Sequence, residues 1–229
     1  MEPLTAWSFS RLSQYEICPA KIKFSVYDKI NEPGNAAMER GAAIHEKAER
    51  YIRGMSIGLP DELKKVGDYF KELKRNFEQE KVFPELSIAL TKDWRLTNWF
   101  ADDCWLRVKI DCVQLIGDGA SANIFDWKTG KPKLEWSKAD YDAQLELYAL
   151  AAMLKFEELD HVFCLLLYVD AGVAYPNTQG RLFTRDDIPG LKAKWEKRVV
   201  KMMSDTAFLP TPNRLCQWCY YSDIGKCKY

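Results

Sequence analysis

Two apolar runs, residues 104–116 and 123–128, flank Gly117-Asp118-Gly119. Both have the β-branched and aromatic content of strands, and the glycine-bearing triplet suits a turn, so the middle of the chain predicts an antiparallel hairpin. Helical spacing surrounds it. Residues 36–53 are helical in pattern, and 61–80 form a charged amphipathic segment in which Leu63, Val66, Phe70, Leu73 and Phe77 recur at three and four. Residues 83–90 read as a further strand. After the hairpin come a helix over 138–159, a buried strand over 162–169, a short edge strand at Arg181–Thr184 and a helix over 188–203. This order predicts a mixed α/β domain.

Composition bounds the function classes. With 47% hydrophobic residues, 13% aromatics and eight Trp in 229 residues, the chain can close a sizeable core, which excludes a disordered or fibrous protein. No apolar run approaches the ~20 residues that cross a bilayer. The start, Met1-Glu2-Pro3-Leu4-Thr5, lacks a basic stretch followed by an apolar one, so the expected setting is reducing and cytoplasmic, in a bacterial, archaeal or phage-infected cell. Thirty-three basic residues balance thirty-three acidic ones, so nucleic acid is not held by bulk attraction; a local cleft is still allowed. No repeat or linker divides the chain. It is expected to be one domain, 1–229, with a helical part at 1–80, a core at 81–205 and a cysteine-rich tail at 206–229.

In Ile124-Phe-Asp-Trp-Lys-Thr-Gly, the period of a strand puts Asp126 and Lys128 on one face and Trp127 on the other. Asp-x-Lys spacing alone is weak in a chain this charged. Its context is stronger, because the hairpin partner carries Asp111 within apolar residues, and a carboxylate buried there needs a cation or hydrogen bonds. Two carboxylates on adjacent strands repel unless positive charge lies between them. A hard divalent cation meets that need and can polarise a phosphodiester; a salt bridge from Asp126 to Lys128 or Lys109 meets it structurally. His45 lies on a helical face of small residues, and imidazole is a common metal ligand. Gln144 and Tyr148 are four apart, on one helical face.

Taken in order, Ser10-Arg-Leu-Ser-Gln-Tyr-Glu-Ile-Cys-Pro, Gly41 to His45, Ile110-Asp111, Asp126-Trp-Lys-Thr-Gly, Gln144-x3-Tyr148 and a cysteine tail resemble the RecB-like branch of the PD-(D/E)XK nuclease superfamily. That branch includes the CRISPR-associated RecB-like exonucleases and the nuclease domain of the AddB subunit. The resemblance implies a restriction-endonuclease-like mixed sheet flanked by helices. It implies a Mg²⁺ or Mn²⁺ ion held by His45, Asp111, Asp126 and the Trp127 carbonyl, with Asp111, Asp126 and Lys128 catalytic and with Gln144 and Tyr148 engaging DNA. Glu85 corresponds to an auxiliary acid of the family. The glycine usual two residues before the first aspartate is Lys109 here, a departure that bears on substrate fit.

The seven cysteines fall into two kinds. Cys104, Cys112 and Cys164 sit in strand-like stretches and read as core. Cys216-x2-Cys219-x7-Cys227 supplies three ligands in a short loop, and Cys18 is a fourth far upstream. Four thiolates suit zinc or an iron–sulfur cluster; the resemblance implies a [4Fe-4S] cluster joining the N- and C-terminal segments. The function expected is a metal-dependent exonuclease acting on single-stranded DNA or DNA ends, alone or with recombination, replication or CRISPR adaptation proteins. Trp127, Trp136, Lys131 and Lys133 are expected to contact the strand. The alternative is a non-catalytic DNA-binding or scaffolding iron–sulfur module.

Overall fold

The structure is a computed structural model that describes residues 1–132, 138–175 and 181–229, with the backbone alone at 138–141. A seven-stranded, mostly antiparallel sheet carries helices on both faces. The strands are β1 (Val82–Leu90), β2 (Leu96–Thr97), β3 (Leu106–Ile116), β4 (Ser121–Lys128), β5 (His161–Tyr168), β6 (Val173–Tyr175) and β7 (Arg181–Thr184). Their order is β2-β1-β3-β4-β5-β6, with β7 also paired to β5.

The hairpin of β3 and β4 is as the turn chemistry predicts: Gly117 and Gly119 both have positive φ, 61° and 99°, which favours residues without a Cβ. β4 and β5 run parallel. Parallel neighbours need a crossover, and α5 (Lys138–Lys155) supplies it. Because α5 lies between the sheet and other helices, its interior is buried nearly all round, from Leu145 through Met153, and small residues (Ala149, Ala151, Ala152) let the neighbours approach. Each of its fully buried leucines contributes roughly 1.5–3 kcal/mol.

α1 (Phe9–Ile17) and α6 (Ile188–Ser204) complete that side through Leu12, Tyr15, Trp195 and Val199. The opposite face is covered by α3 (Ala36–Ile52) and α4 (Gly67–Phe77), through Ile44, Tyr51, Phe70 and Leu73 packed on Cys112, Phe125 and Trp127. Ser8 caps α1 by accepting the Arg11 amide at 3.3 Å, and Asn35 caps α3 by accepting that of Met38 at 3.0 Å. Cys104, Cys112 and Cys164 are buried. The segment expected as one helix over 61–80 is instead a 3₁₀ stretch, Asp61–Val66, followed by α4. The break falls at Gly67, where any Cβ would stand 2.8 Å from Leu59 Cδ2. The short α2 (Pro19–Ile22), β2 and β6 were not apparent from sequence periodicity, being too short to show one. No helix among the described residues is long and apolar enough to cross a membrane.

Candidate active site

The site forms where the sheet opens. The β3–β4 ladder ends at Cys112↔Phe125. Beyond it Asp126, Trp127 and Lys128 pair only with β5, while the first half of β3 pairs with β1 and, at Leu106, with Trp7. The Trp127 amide, left without a strand partner on that side, donates to Asp111 Oδ2 at 2.7 Å. A carboxylate thus replaces the backbone acceptor at the fork.

Opposite Asp111, pairing also lapses at Glu85, which follows Pro84 and has a φ of +55°. Side-chain alternation resets here in both strands. Leu106, Val108, Ile110 and then Val113 face α5, while Cys112 faces α3; Leu86 and Phe83 share one face, with Val82 on the other. A non-glycine residue in this backbone region costs about 1–3 kcal/mol and persists only where its surroundings fix it. Its effect is to aim the Glu85 carboxylate at α3.

There it meets His45. Nδ1 of His45 lies 3.3 Å from Asp111 Oδ1 and 3.9 Å from Glu85 Oε1, and Nε2 lies 3.2 Å from the Trp127 carbonyl. One ligand atom from each of His45, Glu85 and Asp111 falls within 4.8 Å of the others, the only such group among the described residues. Asp126 does not come within that distance of all three. Burial works against a charged His45, but the bond to Asp111 and the fields of Asp111, Asp126 and Glu85 outweigh it and raise the imidazole above its ordinary value.

On the other side of the fork, Lys128 Nζ stands 2.5 Å from Asp126 Oδ2 and donates to Gln144 Oε1 at 3.3 Å. Gln144 Nε2 in turn donates to the Tyr148 hydroxyl at 2.7 Å. The two residues share a face of α5, as their spacing predicts. Asp126 is 2% exposed, and burial pushes its carboxyl up to about 6; Lys128 opposes the shift and Asp111 adds to it. Burial, then the fields of Asp126 and Asp111, also raises the Tyr148 phenol. Glu85 Oε1 is buried without a hydrogen bond, whereas the buried Asp126 Oδ2 has the Lys128 ammonium at 2.5 Å as its counter-charge. A buried carboxylate oxygen without a donor favours a cation beside it. Oxygen donors with one imidazole fit Mg²⁺ or Mn²⁺ by chemical type.

The structure brings together His45, Asp111 and the Trp127 carbonyl, and separately Asp126, Lys128, Gln144 and Tyr148. Glu85, a loose expectation from sequence, is a full member of the first group. Its signal was the Pro-Glu pair within a strand, since proline there marks an edge or an irregularity. Trp127 is not available for base stacking: it is 2% exposed and lies against Phe70 and Phe125. The alternation that places Asp126 in the cleft necessarily sends Trp127 into the opposite core. Lys131 is exposed, and Lys133 and Trp136 lie outside the described residues.

Cys18, Cys216, Cys219 and Cys227 line one partly open pocket at the end of α1. No disulfide joins them. The Thr211 amide donates to Cys18 Sγ at 3.4 Å and the Asn213 amide to Cys216 Sγ at 3.3 Å. Asn213 also donates from Nδ2 to the Ile17 carbonyl at 3.0 Å, and the rings of Phe24 and Tyr221 lie 4.9 Å apart, so the tail is docked on the N-terminal segment. No three of the sulfurs come within 4.8 Å of one another.

A model of the PD-(D/E)XK nuclease superfamily matches residues 6–224, and the chain belongs to that superfamily. Among solved structures, the crystal structure of SSO0001 is similar at 14% identity and a TM-score of 0.47, over 99% of this chain and 89% of that one. A structure named "Putative exonuclease" from Eubacterium rectale is similar at 12% identity and a TM-score of 0.48, over 95% and 88%. No curated protein matches the sequence significantly.

Proposed function

We propose that this chain is a divalent-metal-dependent DNA exonuclease that hydrolyses phosphodiester bonds in single-stranded DNA or at DNA ends. The observation that carries the reading is the fork itself: His45, Glu85 and Asp111 converge, Asp126 and Lys128 stand beside them, and the buried Glu85 Oε1 lacks a donor. His45, Asp111, Asp126 and the Trp127 carbonyl are the proposed metal ligands, with Glu85 a further one. A bound divalent cation supplies the charge that polarises the phosphodiester and activates water.

The remaining work belongs to the protein. Lys128 places an ammonium between Asp126 and Gln144, where it offsets charge growing on the phosphate. Tyr148 holds the Gln144 amide, and that amide fixes Lys128. Asp111 anchors both the Trp127 amide and His45, so its geometry sets the carbonyl and the imidazole together.

The four-cysteine pocket is proposed to hold a [4Fe-4S] cluster. Two backbone amides already donate to sulfur, the kind of hydrogen bond that tunes cluster-ligating sulfurs. Tetrahedral zinc with bonds of ~2.3 Å needs sulfurs about 3.8 Å apart, and no three of the sulfurs here lie within 4.8 Å of one another. On this reading the whole chain, 1–229, works as one nuclease unit with its terminal segments joined.

The test is digestion of end-labelled single-stranded DNA by anaerobically purified protein with Mn²⁺, Mg²⁺ or EDTA, beside Asp126→Ala and Lys128→Ala. Metal-dependent release of label by the parent alone supports the reading. Equal activity in the variants, or none in the parent, overturns it in favour of a DNA-binding scaffold. Cutting of circular single-stranded DNA excludes an obligate exonuclease.

A further inference from the structure

We propose that a groove between the start of α1 and β3, with the loop before β3 at its rim, is the track along which an unpaired DNA strand approaches the fork. Phe100 is its stacking platform, and Arg107, Arg11 and Lys109 are its phosphate contacts. The proposal rests on the nuclease reading and deepens it. The groove is lined by Ser8, Ser10, Arg11, Trp99, Arg107 and Lys109, among others, and it reaches Gln144 and Tyr148. It is therefore continuous with the site.

Its charge is one-sided. Three cations and no acidic residue line it, in a chain whose charges otherwise cancel. Arg11 donates to the Ala6 carbonyl at 2.6 Å and Arg107 from Nε to the Trp99 carbonyl at 2.8 Å. Neither guanidinium pairs with a carboxylate among the described residues. The two stand close enough that the Arg11 guanidinium is lowered, first by burial and then by Arg107. Facing cations without a counter-charge make a place for an anion. Lys109 links this row to the fork, its ammonium 2.5 Å from Glu85 Oε2.

The rim adds an aromatic surface. Phe100 is 88% exposed, an unusual state for so large an apolar ring, and the Arg107 guanidinium lies 5.9 Å from its centroid and 5.9 Å from that of Trp99. A cation beside an open ring is the pairing that takes a phosphate and its base together. Only an unpaired base can lie on such a ring, which is why a single strand and not a duplex is the proposed occupant. With Trp127 in the core, Phe100 provides the stacking surface that the sequence assigned elsewhere.

The test is binding of a fluorescent thymidine 15-mer in EDTA, by anisotropy, for full-length parent, Phe100→Ala, Phe100→Trp, Arg107→Gln and, as control, Val200→Ala on the far side of α6. Circular dichroism verifies that each is folded. Phe100→Ala is expected to weaken binding by about tenfold, with recovery in Phe100→Trp. Arg107→Gln is expected to lower the slope of log K against log salt by about 0.7, one phosphate contact on a single strand. An oligomer carrying 5-iododeoxyuridine is expected to photocrosslink to the peptide bearing Phe100.

Parent-like binding by Phe100→Ala, a crosslink mapping elsewhere, or equal weakening of a blunt duplex each overturns the track. If the parent still cleaves DNA in these cases, the nuclease reading stands without it. A parent that neither binds nor cleaves overturns both.

Discussion

The fork of the sheet and the cysteine pocket both gather ligand-type side chains, yet they are held in opposite ways. At the fork, His45, Glu85, Asp111 and Asp126 come from α3, β1, β3 and β4; the three strands contribute to the cores on both faces of the sheet, and α3 to one of them. The protein bears the cost in advance, as a left-handed Glu85 whose buried Oε1 has no donor. The cysteines instead lie on short turns and half-exposed segments, held by a few hydrogen bonds and a small apolar cluster around Phe24 and Tyr221. The contrast separates a site fixed by the main sheet from one fixed by a much smaller apolar cluster between the terminal segments.

The comparison breaks most sharply at Lys128. Lys128→Ala is expected to lower cleavage by at least about 10²-fold with the melting curve little changed, since it removes transition-state charge and not packing. A comparable loss of stability would show that the ammonium serves chiefly to hold Asp126. Cys219→Ala should do the reverse: visible absorbance is lost and the melting temperature falls by ~5 °C or more, because the link between the chain's terminal segments is gone. Unchanged absorbance and iron content in that variant would remove the cluster from the account.

His45→Ala is expected to weaken Mn²⁺ binding, followed by calorimetry, by roughly tenfold, or about 1.4 kcal/mol. Unchanged affinity would place the metal on the carboxylates alone. The smallest effect is expected at Asp170, which binds Arg40 through both carboxylate oxygens, at 2.6 and 2.9 Å, and accepts the Gly130 amide. The Arg40 guanidinium, foremost, holds that carboxyl below its usual range, against a smaller opposing effect of burial. Its stabilisation is therefore present above the ordinary carboxylate pKa of ~3.9 and is lost as pH falls through the depressed value. Asp170→Asn should melt a little below the parent at pH 7, and the gap should close in acid; a gap that persists there would assign the effect to packing.

Much of the scaffold was legible. Residues 104–116 and 123–128 gave the hairpin, and Arg181–Thr184 and the helices of α3, α5 and α6 lie within a few residues of where period placed them. The period-two argument for Asp126 and Lys128 holds in the structure because β4 is regular up to its end. It was not followed to its other consequence, the burial of Trp127. What periodicity cannot reveal is where it fails. The reset at Glu85 and Asp111 depends on two strands far apart in sequence lapsing at the same level, and so the third member of the His45 group was seen only dimly. Phe100 was missed for a related reason: an aromatic in a loop looks the same in sequence whether it is buried or open.

The parallel pairing of β4 with β5 also sets the order in which the fork can be assembled. Asp126 and Lys128 find their only strand partners at Leu166 and Tyr168, forty residues further along the chain. A ribosome that has released the hairpin has made both halves of the acidic motif but not the strand that fixes one of them. Closing so long a loop is slow beside forming a hairpin. The nascent chain therefore carries an unformed fork until α5 and β5 emerge, and hydrolytic competence arrives late in synthesis, after most of the surrounding fold exists.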